Sequence, residues 1–65
     1  MKEYTNSQIR ELIAEHIHNE RDRRLLERRI IDGVVFDRLA AEFDLSVQRT
    51  KTIVYRAMQR LVRYL

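Results

Sequence analysis

No proline and a single glycine, Gly33, interrupt this chain of 65 residues. Those two residue types are the strongest breakers of regular structure, so a sequence nearly free of them predicts helices joined by short connections. The chain is short enough to form one domain, residues 1–65, near the lower limit for folding alone. Its 45% apolar content can build a core, though one worth only about 3–5 kcal/mol without staples. With no cysteine, neither a disulfide framework nor a cysteine zinc site is expected, which fits a reducing cytoplasm. No apolar run approaches the roughly 20 residues that cross a bilayer. The opening Met1-Lys2-Glu3-Tyr4-Thr5-Asn6-Ser7 lacks the apolar stretch of a signal peptide.

The periodicity divides the chain into four helices. Thr5, Asn6 or Ser7 can cap the first, and Thr5 with Gln8 has capping-box spacing. Ile9, Leu12, Ile13 and Ile17 recur on one face of that helix. Asn19 is the predicted cap of the second, with Glu20 and Asp22 in its first turn, where the helix dipole favours acids. Leu25, Leu26 and Ile30 face inward, and Asp32-Gly33 closes the helix, glycine supplying the left-handed residue. A third helix runs from about Phe36 to Phe43 after Val35, which cannot cap. Ser46 caps a fourth helix that extends toward the chain end. Phe36, Leu39 and Phe43, with Leu26 and Ile30, are expected to pack against Val54, Ala57 and Leu61.

Charge is distributed unevenly along these elements. From Ser46 to Leu65 stand Arg49, Lys51, Arg56, Arg60 and Arg63 with no acid, while residues 1–45 carry ten acids against eight bases. The net +3 therefore combines an acidic body with a strongly basic last helix. Ordinary solvated faces mix signs to gain pairs four residues apart. A helix of one sign points instead to a surface that meets phosphates.

A wheel of the last helix at 100° per residue gathers Arg49, Arg56, Arg60 and Arg63 within roughly 60°, beside Gln48, Thr52 and Gln59. The apolar side, from Val47 and Thr50 through Ile53, Val54, Ala57 and Leu61, spans about 180°, more than the ~100° that seats a helix on one core. The surplus, Met58, Val62 and Leu65, predicts a partner surface. Two copies packing this strip across a two-fold axis would make a homodimer with two recognition helices on one side. The alternative is that the first helix folds back over the strip and leaves a monomer.

A short helix, a tight turn and a capped longer helix, residues 35–62, have the order of a helix-turn-helix, whose second helix enters the major groove. The residues carry the likeness further. Glu20-Arg21-Asp22-Arg23, Leu25-Leu26, Asp32-Gly33, Phe36-Asp37, Leu39-Ala40, Leu45-Ser46-Val47, Lys51, Arg56-Ala57 and Leu61 resemble region 4 of bacterial sigma factors, over about Glu20 to Leu61. The resemblance implies an all-α, four-helix domain of the winged-helix-like superfamily whose last helix reads double-stranded promoter DNA and which also touches RNA polymerase. Carried over by position, Val47, Gln48 and Thr52 are base-facing and Arg49, Lys51 and Arg56 meet the DNA backbone, although the wheel puts Val47 and Lys51 near the apolar arc; Ser46 and Arg60 are further backbone candidates. The chain departs from the pattern in four places: Asp44 replaces a turn glycine, Val35 a Ser/Thr cap, Thr50 an apolar residue, and His18-Asn19 a Leu-Pro pair. Nothing in it resembles the sigma region that melts DNA. A looser likeness links it to LuxR/GerE-type output domains, which dimerise through their last helix.

No catalytic constellation stands out, so no enzyme activity, cofactor or small-molecule substrate is expected. His16 and His18, two apart on a helix, would point to different faces and make no metal site. Glu11, Glu15, Glu20 and Asp22 have no glycine-rich or nucleophilic neighbour and read as solvated or paired with arginine. Arg21, Arg23, Arg24, Arg28 and Arg29 either pair with Glu20, Asp22 and Glu27 or flank a DNA backbone. Two functions follow as expectations: a sequence-specific DNA-binding transcription regulator, or a module that docks on RNA polymerase or a sigma factor.

Overall fold

The capping signals place the helix starts. In the computed structural model, which describes residues 3–65, the elements are α1 (Asn6–His16), α2 (Glu20–Ile30), α3 (Phe36–Glu42) and α4 (Val47–Val62), with no strand among the described residues. Thr5 caps α1 in a full capping box with Gln8, and Asn19 caps α2 by accepting from the Asp22 amide. Val35 precedes α3 and provides no side-chain cap. The last helix stops at Val62 rather than at the chain end, and Arg63 forms its C-cap.

The two turns that set the helix angles each use one left-handed residue. After α2 the chain passes through Gly33 at φ 69°, and the Val34 amide returns to the Arg28 carbonyl at 3.1 Å. A Cβ at Gly33 would meet nothing within 4 Å, so substitution there costs only backbone strain. Gly33→Ala should destabilise by about 1 kcal/mol, lowering Tm by about 4–8 °C, with Gly33→Asn losing less. After α3, Asp44 takes φ 55° in place of a glycine. The Leu45 amide bonds to the Ala40 carbonyl at 2.9 Å and the Asp44 amide to that of Ala41 at 3.4 Å. Together they form a Schellman motif, and Leu45 packs against the core as that motif's apolar contact.

α4 packs against each of the other three helices. The core comprises Ile13, Ile17, Leu25, Leu26, Leu39, Ile53, Val54, Ala57 and Leu61. Thr50 is buried among them, yet its hydroxyl donates to the Ser46 carbonyl at 2.8 Å, which explains why a polar residue is accommodated there. Phe36, Phe43 and Ile30, expected at the centre, lie half-buried at its edge. The first helix supplies the central side chains instead, through Ile13 and Ile17. It therefore does not cover the strip on α4: Met58, Val62 and Leu65 remain exposed.

Candidate nucleic-acid interface

Arg49, Arg56 and Arg60 of α4 are brought to one cleft by the way α2 crosses it. Arg49, Arg56 and Arg60, with Thr52, line one wall, and Arg21 and Asp22 from the first turn of α2 line the other, over Ile17, Ile53 and Ala57. Arg21 was not singled out by the α4 wheel, because only the packing of α2 against α4 places it there. As part of the α2 arginine cluster it already stood as either an ion-pair partner or a flank of a DNA backbone. Arg21 is partly neutralised by Asp22, whose Oδ1 stands 3.3 Å from its guanidinium. Arg49, Arg56 and Arg60 form no ion pair among the described residues. Arg63, which the wheel grouped with them, is the exposed C-cap and lines no part of this cleft.

At the start of α4, Ser46 is exposed and its hydroxyl accepts from the Arg49 amide at 3.0 Å, which fixes the first turn. That oxygen can still donate its own proton. Gln48 is exposed, while Val47 is half-buried. Thr52 is half-buried and its hydroxyl donates to the Gln48 carbonyl at 3.0 Å. The side chain therefore has its methyl group and its oxygen lone pairs left for a ligand. Lys51 stands apart from the arginine cleft, its Nζ 5.7 Å from the centre of the Phe36 ring. Arg29 lies over the same ring at 4.2 Å, and Tyr55 meets it edge-on at 5.8 Å.

The remaining arginines of α2 hold the fold together, largely with partners other than those expected. Arg23 donates to the Ile17 carbonyl, and Arg29 to the Val34 carbonyl at 3.1 Å. Glu27 faces Arg10 of α1 at 3.7 Å, and Arg24 lies over the Phe43 ring at 5.6 Å. Arg28 bonds both Asp32 and Glu42, tying the end of α2 to the end of α3. These hydrogen bonds hold the Glu42 carboxyl below its ordinary pKa near 4.5, aided by attraction from Arg28 and Arg38 and opposed by burial. A depressed carboxylate contributes stability above its unfolded pKa and loses it as pH falls through the folded value. Thermal melts should therefore show wild type above Glu42→Gln at neutral pH, with the gap closing as pH falls below about 4.5.

His16 stacks on Tyr64 at 3.5 Å, and His18 lies beyond the end of α1, so the two do not share a helix. Among the described residues no three His, Cys, Asp or Glu side chains come together as metal ligands. Among the described residues no helix is long and apolar enough to cross a membrane. No protein-family model, curated protein or solved structure matches the chain.

Proposed function

We propose that the protein is a sequence-specific double-stranded DNA-binding transcription regulator, a sigma region 4-like helix-turn-helix in which α3 braces α4 as recognition helix. The observation that supports this most is the cleft shared by Arg21, Arg49, Arg56 and Arg60, beside a helix whose sequence holds no acid. Guanidinium groups suit phosphate because their planar fork donates two parallel hydrogen bonds. Contacts of that kind position a helix on the duplex, while side chains at its N-terminal end reach the base edges. Gln48, exposed near the start of α4, can bond adenine bidentately, and the Thr52 methyl can meet that of thymine.

The test measures fluorescence anisotropy on random duplexes and on duplexes selected for tight binding. Gln48→Ala and Thr52→Ala should change the preference at one or two base pairs by about 1–3 kcal/mol, leaving affinity for random duplex nearly intact. Uniform loss on every sequence would remove the base-reading role. Docking on RNA polymerase or a sigma factor, with little DNA binding, is the second reading. It is favoured by Tyr55, Met58 and Val62, which stay exposed on α4. Selected and random duplexes bound equally weakly would make it the better one.

A further inference from the structure

We propose that the exposed apolar stripe of α4 seats α1 of a second copy of this chain, the exchange being reciprocated about a two-fold axis. Tyr55, Met58 and Val62 are 52, 36 and 59% exposed and, with Gln59, line a shallow groove. Among the described residues nothing covers it, and α1 turns Ile13 and Ile17 into its own core.

Charge selects the occupant. No acid stands between Ser46 and Leu65. At the stripe's N-terminal end Lys51 and Arg29 flank Phe36, which touches Tyr55, and neither cation forms an ion pair among the described residues. A second α4 laid on this stripe would set basic against basic. The fitting occupant is a helix face that carries carboxylates, and α1 has one in its exposed Glu11 and Glu15. On the outer side of α1, Tyr4, Gln8 and the partly buried Leu12 line a groove whose charged walls, among the described residues, are Glu11 and Glu15.

The Tyr4 hydroxyl donates to the Leu65 carbonyl at 3.3 Å, joining the start of α1 to the end of α4. The proposed two-fold operation seats both α1 helices at once, and such an isologous contact closes rather than propagates. A standard interface covers about 800 Å² per partner, roughly a sixth of the 4910 Å² surface, a share that the outer faces of two of the four helices can supply. Arg49, Arg56 and Arg60 lie roughly 60–100° beyond Gln59 round α4 and outside this groove. The proposal thus stands apart from the DNA reading.

Sedimentation of the full chain at micromolar to hundred-micromolar concentration tests it. The expected species has twice the 7.9 kDa mass of the chain and dissociates as salt rises. Val62→Glu should raise the dimer Kd at least tenfold. The pair Glu11→Lys with Glu15→Lys should do the same, as should Lys51→Glu with Gln59→Glu. Mixing those two paired variants should restore dimers, since each α1 then meets an α4 of opposite sign. A monomer at every concentration overturns the proposal, as does growth beyond a dimer. A dimer indifferent to the Glu11 and Glu15 changes overturns it in favour of α4-to-α4 pairing. Circular dichroism monitors the fold of each variant. If a paired variant loses helicity, the wild-type salt dependence decides, and a salt-insensitive dimer rejects the idea.

Discussion

Leu39→Ala should unfold most of the population at 37 °C. Leu39 is fully buried at the centre of α3, a helix of seven residues with no side-chain N-cap. So short a helix has no stability of its own in water, and its order comes from packing. Truncating a buried leucine costs about 2–5 kcal/mol, which matches the whole reserve of about 3–5 kcal/mol for a domain of this size. The Arg28–Glu42 bridge cannot compensate, because exposed ion pairs contribute about 0–1 kcal/mol. Phe43→Ala provides the contrast. Its ring is half-buried at the core's edge beneath Arg24, so its loss should cost about 1–2 kcal/mol. Thermal melts should rank wild type above Phe43→Ala and Phe43→Ala well above Leu39→Ala. Equal melts for Leu39→Ala and wild type would show that α3 does not pack through this face.

The helix starts were legible because each depends on residues close in sequence. Asn19 and Ser46 cap as expected, Thr5 is the one of three candidates that caps α1, in the box its spacing to Gln8 allows, and Gly33 and Asp44 take the left-handed turns. Periodicity likewise identified the inward side of each helix. It could not rank depth within a face, which depends on how helices cross, and so it placed Phe36 and Phe43 at the centre in preference to Ile13 and Ile17. Long-range polar pairing escaped for a related reason. Arg28 finds Glu42 fourteen positions away across a turn whose path rests on a single φ at Gly33. The candidate site shows both effects. Arg49, Arg56 and Arg60 fall on one helix and share an arc by arithmetic alone. Arg21 joins them only because α2 lies across α4, whereas Lys51, which the wheel puts near the apolar arc, lies over Phe36.

Affinity for random duplex DNA should fall steeply with salt. If Arg21, Arg49, Arg56 and Arg60 each neutralise one phosphate, the slope of log K against log salt approaches about −3.6, from about 0.9 per contact. Between 50 and 200 mM salt that slope corresponds to a loss of about 150-fold. Replacing any one of the four by alanine should flatten the slope by about one unit and weaken binding to all sequences alike. Lysine at the same positions keeps the charge and should restore most of the slope, though without the guanidinium's two-pronged geometry. Asp22→Asn should act in the opposite direction, since it frees Arg21 from the carboxylate 3.3 Å away and removes a like charge from the path of the phosphates. Lys51→Ala discriminates between two tracks for the backbone. Its ammonium stands over Phe36 and outside the arginine cleft, so its removal should change the slope less than Arg56→Ala does. A loss at Lys51 equal to that at Arg56 would move the phosphate track across Phe36, and an affinity unchanged between the two salt concentrations would end the DNA reading altogether.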